Sequence, residues 1–471
     1  MVSPVLVWHR RDLRVHDNKA LHAACQQGDW ILPVFVLDPD ILARPDTAPA
    51  RVSYMLDALR QLQLSYAQLG GSLVVRQGDP VQVLPRLAQQ VGATAVHWNQ
   101  DVEPYALRRD QAVMESLAQQ GIPGHSHQDM LLHDVDQVKT QAGAVYSVFT
   151  PFWRNWSTLA KAAPLPKPAR IQTPELDSLP LPSLSDLGLS CDQILEPAGE
   201  QAALDRLDQF CQGSGIWDYA EQRNTPAVAG TSGLSPHLRW GTLGIRQVWR
   251  ATFLAAAKIR SDEETNSLTT WRQELCWREF YKYVLFHWPH LETNCYRQAF
   301  DALVWDNKPD QFQAWCEGQT GYPLVDAAMR QLNQTGWMHN RCRMVVASFL
   351  TKDLLIDWRW GERYFMQKLV DGDLAANNGG WQWSASVGTD AKPMRIFNPS
   401  TQAVKFDPEG DYIRRYVPEL GGADTPALLD VSDSKSGLRA LRERRRCGYP
   451  DPIVDHKQQQ HLFKQRYQTC R

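Results

Sequence analysis

PVLVW at residues 4–8 is a short apolar run that is typical of a buried β-strand. Four further strands are expected at residues 31–37 (ILPVFVL), 72–76 (SLVVR), 95–98 (AVHW) and 121–125. Helical spacing of apolar residues lies between them, at residues 50–69, 81–91 and 104–120. Strands that alternate with helices predict a doubly wound parallel sheet, so we expect residues 1–130 to form an α/β domain.

The rest of the chain has a different pattern. Residues 131–200 contain a stretch rich in proline and serine without periodicity, which predicts an interdomain linker. After it, apolar residues recur at helical spacing almost throughout. We therefore expect residues 201–471 to form an all-α domain.

Composition limits the class of protein. The 471 residues are 43% hydrophobic with a formal net charge of −2. This charge argues against a protein that coats nucleic acid non-specifically, but it allows a local basic groove. The 9 cysteines form no CxxC pair, which favours reduced thiols and no metal site. Without a signal peptide or a long apolar run, we expect a soluble, cytoplasmic monomer with no membrane partner.

Two common nucleotide-binding patterns are missing from the sequence. No GxGxxG follows the first predicted strand, which disfavours a nicotinamide dehydrogenase, and no GxxxxGK[ST] occurs, which disfavours a P-loop enzyme. The 18 tryptophans are an unusually high number. They fit either bulk in a helical core or a function in aromatic stacking and electron transfer.

GTSGLSP at residues 230–236 is a loop of small residues ahead of a helix with proline at its start. Backbone N–H groups and hydroxyls at a helix start suit a phosphate, although a capped helix without a ligand has the same pattern. DGDLAANNGGWQW at residues 371–383 combines acids, amides, glycines and tryptophans. This composition favours a heteroaromatic ligand over a metal, because no His or Cys lies beside the two aspartates.

A third pattern lies on one predicted helix. Glu274, Trp277, Arg278 and Tyr281 follow i, i+3, i+4 and i+7 spacing, which places them on one face. The face combines groups for stacking on a base, hydrogen bonding and phosphate contact, although an amphipathic helix with ion pairs explains it equally well. Asn340 and Met344 repeat the i, i+4 spacing. RERRR at residues 442–446 could contact DNA, but a solvated helix face is the preferred interpretation.

Taken together, the motifs resemble the photolyase/cryptochrome family. They are WHRRDLR, AGTSGLSP, WRQELCWREFY, TGWMHNRCRM, DGDLAANNGGWQW and RIFNPSTQAVKFDP, in this order along the chain. Within the family, the sequence looks most similar to class I cyclobutane pyrimidine dimer photolyases of the cyanobacterial-like, deazaflavin-antenna type. The resemblance implies a lyase that repairs DNA carrying these dimers. The alternative is a cryptochrome-type blue-light photoreceptor with the same fold and FAD.

The resemblance implies one reduced FAD per chain. The residues that would bind it are Tyr219, Thr231, Ser232, Gly233, Leu234, Ser235, Trp271, Arg343, Asp371, Gly372, Asp373 and Asn377. Arg343 would pair with Asp371, and Asn377 would lie against flavin N5. An amide at that position favours repair over signalling, and we expect Asn377 and Glu274 to be catalytic. Trp305, Trp358 and Trp381 match the family's electron-transfer chain.

The resemblance also implies where DNA and a second chromophore bind. The DNA and lesion residues would be Arg223, Glu274, Trp277, Arg278, Tyr281, Asn340, Arg341, Met344, Trp383 and Gln402. The second chromophore would be 8-hydroxy-5-deazaflavin, with methenyltetrahydrofolate and FMN as alternatives. Its pocket would be lined by Val36, Leu37, Asp38, Arg51, Asp101, Glu103 and Arg239. Arg239 stands where the deazaflavin relatives carry lysine. Arginine keeps the positive charge at this position, but its hydrogen-bonding geometry differs from that of lysine.

Overall fold

Five parallel strands form a single sheet near the start of the chain. They are β1 (Val5–His9), β2 (Ile31–Leu37), β3 (Val74–Gln77), β4 (Ala95–Asn99) and β5 (Gly124–His127), in the order β3-β2-β1-β4-β5. β1 lies between β2 and β4, so the chain reverses its direction of winding at β1. The predicted doubly wound sheet is therefore confirmed, and the point of reversal is where such sheets bind ligands.

This computed structural model describes residues 3–390, 394–432 and 434–470. The chain folds into two compact units. The first unit comprises Met1–Cys191, Glu196–Trp217 and Ser232–Pro289, and the second comprises Asp192–Leu195, Asp218–Thr231 and His290–Arg471. Several helices of the predicted all-α region thus belong to the same unit as the sheet. The domain limits at residues 130 and 200 stay a prediction.

Helices surround the sheet within the first unit. They are Lys19–Gln27, Pro39–Leu42, Pro49–Gln68, Pro80–Val91, Pro104–Gln119, Phe149–Thr158, Glu200–Gln212, Ser235–Trp240, Ile245–Ala256 and Asp262–His287, with a 3-10 turn at Ser185–Leu187. Four of the helices that follow strands begin with proline, whose fixed φ suits the first helical position. Asp38 and Asp79 cap two of these helices by accepting backbone N–H bonds.

The segment predicted as a linker packs along the sheet. Ile31 N donates to Gln172 O at 2.8 Å, and Leu179 N donates to Val75 O at 3.2 Å. The segment also contains the helix Phe149–Thr158, whose Phe152 and Trp156 are buried. The part of this segment that is rich in proline and serine is therefore ordered and packed within the first unit.

The second unit is helical among its described residues. Its helices are Tyr219–Gln222, Pro309–Glu317, Pro323–Thr335, Asn340–Ser348, Trp358–Lys368, Leu374–Ala385, Pro399–Phe406, Asp411–Tyr416, Thr425–Leu429, Lys435–Arg446 and His456–Thr469. A π-helical turn at Phe349–Asp353 continues one helix, and 3-10 turns lie at Pro289–Glu292, Gln298–Ala302 and Pro418–Leu420. One large apolar core includes Trp315, Trp358 and Trp381. In the described part of the chain, every helix is too short or too polar to span a lipid bilayer.

Candidate functional site

The predicted site residues fall into both units, and each unit is described by itself. In the first unit lie the loop Ser232 to Ser235, the helix residues from Trp271 to Tyr281, and all seven residues predicted for the second chromophore. In the second unit lie Tyr219, Arg223, Thr231, and every predicted residue from Trp305 onward. The sequence neighbours Thr231 and Ser232 thus belong to different units.

The long helix Asp262–His287 has the face that its spacing predicts. Glu274, Trp277, Arg278 and Tyr281 are all half-buried, whereas Leu275, Cys276, Glu279 and Phe280 are buried on the other side. An acid, an indole, a cation and a phenol are therefore held together on the less buried face. This arrangement can supply stacking and hydrogen bonding to a planar ligand.

Contacts that the sequence does not reveal hold this helix in place. Glu279 accepts hydrogen bonds from Leu132 N at 2.5 Å and from Trp156 Nε1 at 2.7 Å, and burial raises its pKa. Phe149 stacks on Trp277 with ring centroids 3.6 Å apart and ring planes 7° apart. Phe149 therefore supports one face of the Trp277 ring and fixes its orientation.

Arg278 is partly engaged within the first unit. Its Nη1 donates to Met130 O at 2.9 Å, and the guanidinium lines a small cleft beside the ends of β1 and β4. The half-buried position keeps part of the guanidinium accessible. Its contact with DNA stays a prediction.

The loop of small residues has the predicted geometry. In the first unit, Gly233 has a φ of +64°, and a Cβ there would lie 2.7 Å from Arg206 Nη2. Arg206 Nε donates to Ser232 O at 2.8 Å, so the arginine holds the loop from the side. The following helix begins at Ser235 with Pro236 in its first turn. Trp271 is buried and packs on Phe210 with centroids 5.0 Å apart.

In the second unit, the predicted pair of Arg343 and Asp371 is present. Arg343 Nη2 donates to Asp371 Oδ2 at 2.8 Å, and Arg343 Nε donates to Met338 O at 2.8 Å. Asp371 Oδ1 is buried and has no hydrogen-bond partner among the described residues. A buried carboxylate oxygen without a donor is costly, so this atom indicates a ligand that supplies one.

The neighbouring residues of the same motif are held by local bonds. Asp373 caps the helix Leu374–Ala385 by accepting from Ala376 N at 3.2 Å. Asn377 is half-buried in that helix, and its Nδ2 donates to Glu362 O at 3.0 Å. The amide group of Asn377 is therefore fixed in orientation. Gly372 lies between the two aspartates and is buried.

Three arginines gather around His339 in the second unit. Burial, together with the charges of Arg341, Arg343 and Arg223, lowers the pKa of His339 to about 4. Burial and the nearby Arg223 also lower the pKa of Arg341. Cations that destabilise one another in this way favour an anion between them, such as a phosphate.

Arg341 is positioned by two further groups. Its Nη2 donates to Asn224 Oδ1 at 2.7 Å, and its guanidinium lies 4.3 Å from the centre of the Phe406 ring. Arg223 lies 5.5 Å from the centre of the Tyr219 ring. Asn224 lies outside the sequence motifs, and Phe406 lies within RIFNPSTQAVKFDP at residues 395–408 but was not predicted as a site residue.

The other predicted lesion residues of the second unit are accessible to different degrees. Asn340 is exposed, and Met344 is half-buried one turn later on the helix Asn340–Ser348. Trp383 is half-buried, with its ring centre 6.3 Å from that of Phe397 and 5.3 Å from the Arg395 guanidinium. Gln402 is half-buried as well.

The three tryptophans of the predicted electron-transfer chain belong to one apolar core. Trp381 and Trp358 are buried, and Trp305 is partly buried at its margin. Trp305 packs near Phe463 with centroids 6.4 Å apart, and Arg466 pairs with the adjacent Asp306 at 2.7 Å. The trend from buried to partly exposed is the one that a path to the surface requires.

Asp38, Asp101 and Glu103, three of the predicted second-chromophore residues, lie just beyond the carboxyl ends of β2 and β4. Arg11 Nη1 contacts Asp101 Oδ2 at 3.1 Å and Glu103 Oε1 at 2.5 Å. Burial alone would raise the pKa of Asp101, but Arg11 and Lys282 hold it well below its usual range. Both predicted acids thus share one arginine, Arg11, which is not among the residues predicted to line the pocket.

The buried Arg51 and the half-buried Arg239 lie in the same region. Burial, and next the nearby charge of Arg239, lower the pKa of Arg51 to about 9. Arg51 Nη2 donates to Asp46 O at 2.9 Å. Val36 and Leu37 are buried at the end of β2, where Asp38 accepts from Tyr105 Oη at 2.7 Å. The region thus combines arginines, acids and apolar side chains, which suits a polar aromatic ligand.

Comparison with known proteins gives matches over most of the chain. Residues 5–169 match the family described as DNA photolyase, and residues 271–469 match the FAD binding domain of DNA photolyase. A deoxyribodipyrimidine photo-lyase of Synechococcus sp. is 50% identical over 99% of this chain and 97% of its own length.

Solved structures are similar over the whole chain as well. A bacterial class III photolyase from Agrobacterium tumefaciens has a TM-score of 0.90 and 38% identity, covering 100% of this chain and 98% of its own. A cryptochrome of Synechocystis sp. has a TM-score of 0.90 and 30% identity, covering 99% of both chains. These similarities extend over both units.

Proposed function

The chain belongs to the DNA photolyase family, and from that premise we propose that it is a deoxyribodipyrimidine photo-lyase, which splits cyclobutane pyrimidine dimers in DNA under light. One observation carries the proposal: a deoxyribodipyrimidine photo-lyase shares half of its residues with this chain over almost the full length of both proteins. The half-buried face of Glu274 and Trp277 and the arginines around His339 supply the groups that a flipped-out lesion requires.

FAD is the cofactor of this proposal, and the residues present fit it. The buried Oδ1 of Asp371 needs a donor that a flavin ring N–H or a ribityl hydroxyl can supply. Arg343 would orient Asp371, and Asn377 would present its fixed amide to flavin N5. The loop Thr231 to Ser235 would hold the pyrophosphate through backbone N–H groups and hydroxyls, with Tyr219 and Trp271 beside the cofactor. When bound and reduced, the flavin supplies the photo-excited electron.

The protein's own residues would position the damaged DNA. We assign contacts with the DNA backbone to Arg223, Arg341, Arg278 and Gln402, and contacts with the lesion to Trp277, Tyr281, Asn340, Met344 and Trp383. A dimer is already poorly stacked, so its extrusion costs less than that of normal bases. Glu274 would hydrogen-bond a pyrimidine carbonyl and stabilise the charge that develops on the dimer.

The tryptophans would serve a separate step. Trp305, Trp358 and Trp381 would relay electrons inward from the protein surface, which keeps the protein in its reduced, active state. The packing of Trp381 and Trp358 in the core and of Trp305 at its margin supports this assignment. The relay is needed for photoreduction, whereas repair by protein that is already reduced does not depend on it.

We also place a second chromophore in the first unit, with 8-hydroxy-5-deazaflavin as the preferred identity. The support is the pair of Arg51 and Arg239, since the nearby charge of Arg239 helps to lower the pKa of Arg51 and an anionic ligand would offset this effect. Val36, Leu37, Asp101 and Glu103 would complete the pocket around Asp38. Heating the purified protein and identifying the released chromophore by absorption would separate deazaflavin from methenyltetrahydrofolate and FMN.

Substitution of Glu274 tests the repair assignment. Glu274→Ala removes one charge-assisted hydrogen bond to the lesion, so repair yield under light should fall by about tenfold or more. FAD content should stay unchanged. The assay counts dimers remaining in a defined duplex after illumination of reduced protein. Glu263→Ala, an exposed acid at the start of the same helix, is the matched control and should repair normally.

Intact dimers after illumination of the reduced wild-type protein would refute the repair function. That result would favour the alternative, a cryptochrome-type blue-light photoreceptor, which the likeness to the Synechocystis cryptochrome supports. The class I assignment within the photolyases is also part of the proposal. It rests on the motif resemblance, and class III is its competitor because of the Agrobacterium structure.

A further inference from the structure

The helix Lys435–Arg446 of the second unit carries a line of exposed cations. Lys435, Arg439, Arg442 and Arg446, here called the basic stripe, are all exposed. Their spacings of four, three and four residues place them within about 60° of one another around the helix axis. They extend about 16 Å along it.

The basic stripe points away from the protein. The buried residues of the same helix are Gly437, Ala440 and Arg444, and they lie on the opposite side of the axis. Arg444 is anchored inward, donating to Ala427 O at 2.9 Å and Asp430 O at 2.8 Å. The orientation of the stripe is therefore set by the packing of the other face.

Acidic groups near this helix are used elsewhere. Glu443 accepts from Asp424 N at 2.7 Å, and Asp451 pairs with Arg445 at 2.6 Å. Within residues 394–432 and 434–470, no ion pair to a stripe residue is present. Surface helices usually mix both signs of charge, so an uncompensated line of one sign is unusual.

The stripe also works against the stability of its own helix. Like charges at i, i+3 and i, i+4 repel. A polyanion lying along the stripe would offset this repulsion. The stripe thus has the properties of a binding surface for a linear series of negative charges.

A hydrogen bond links the approach to this helix with a predicted DNA-binding element. Val431 N, four residues before the helix begins, donates to Ser400 Oγ at 3.1 Å. Ser400 belongs to the helix Pro399–Phe406, which carries Gln402 and the exposed Lys405. The basic stripe therefore starts near a segment that the proposed function assigns to DNA.

We propose that the basic stripe contacts the phosphate backbone of duplex DNA outside the lesion pocket and adds affinity that does not depend on sequence or damage. The inference rests on the proposed function. The stripe is about 16 Å long, which equals the axial rise of about five nucleotides of one strand, but only some of their phosphates face the same side because the strand winds around the duplex. Two to four stripe side chains can thus each meet a phosphate.

The test measures how DNA affinity depends on salt. The stripe variant K435Q/R439Q/R442Q/R446Q is compared with the control R86Q/R108Q/K258Q/R260Q, whose four sites are exposed on the first unit. Both variants change the formal net charge by the same amount. Binding to a long undamaged duplex is measured by fluorescence anisotropy over a range of NaCl concentrations. Melting curves verify folding, and K435Q/R439Q and R442Q/R446Q provide milder variants.

The stripe variant should show a slope of log affinity against log salt that is smaller by about 2 to 3.5, and the control should keep the wild-type slope. An unchanged slope in the stripe variant would overturn the proposal. Binding of the stripe to vesicles of phosphatidylglycerol would then identify an anionic lipid surface, and not DNA, as its partner. Equal losses in both variants would overturn it too, since net charge would then explain the effect. Failure of the wild-type protein to repair dimers is a separate readout and refutes only the proposed function.

Discussion

Asp371→Asn is the substitution that most directly tests the proposed cofactor site. The Asp371 side chain is 3% exposed, with Oδ2 accepting from Arg343 at 2.8 Å and Oδ1 without a partner. Asparagine has nearly the same shape, and its oxygen will face Arg343, since the alternative sets two donors against each other. The amide NH2 then takes the place of Oδ1. The protein therefore presents a donor where it presented an acceptor, and the donor group of the ligand loses its hydrogen-bond partner.

The magnitude follows from the loss of one hydrogen bond to a charged group. Such a bond contributes about 1.5 to 3 kcal/mol. Because each 1.4 kcal/mol is a factor of ten, the Kd for FAD should rise by about 10- to 150-fold. The assay is titration of flavin-free protein with FAD, followed by quenching of flavin fluorescence.

Asp326→Asn is the matched control in the same unit. Asp326 is fully buried, but its Oδ1 accepts from Thr320 N at 2.8 Å and its Oδ2 from Gly321 N at 3.1 Å. Its substitution should lower the melting temperature and leave the Kd for FAD unchanged. A Kd within about twofold of wild type in Asp371→Asn would refute the assignment, as would an equal loss of affinity in Asp326→Asn.

Two other substitutions test a titrating group and the electron path. The pKa of His339 is lowered to about 4, so its neutral form stabilises the fold above pH 6.5, and this stabilisation is lost as pH falls toward 4. Asn is a good N-cap at the start of the helix Asn340–Ser348, so His339→Asn should fold normally. The free energy of unfolding, measured with urea, should decrease between pH 7 and pH 5 by about 2 kcal/mol less in the variant than in the wild-type protein. Equal pH dependence in both proteins would contradict this. Trp305→Phe should slow photoreduction of oxidised flavin in flash spectroscopy while chemically reduced protein still repairs dimers, and unchanged photoreduction would remove Trp305 from the relay.

Local patterns in the chain were sufficient for much of the fold. The strand at residues 31–37 has the predicted limits, and the helix that carries Glu274 and Trp277 has the predicted half-buried face. The pair of Arg343 and Asp371 was anticipated from the motif resemblance. These features depend on residues that are close together in the sequence, or on motifs shared with a family. Both can be recognised from the sequence alone.

Other features depend on contacts between distant parts of the chain. Arg11 meets Asp101 and Glu103 about ninety residues later, and Phe149 stacks on Trp277. Helices after residue 200 join the unit that contains the sheet. No periodicity encodes such pairings, because they arise only when the packed chain brings side chains from separate elements together. The alternation of strands and helices can therefore be predicted from the amino-acid sequence. The partners of charged and aromatic side chains, in contrast, are decided by tertiary packing.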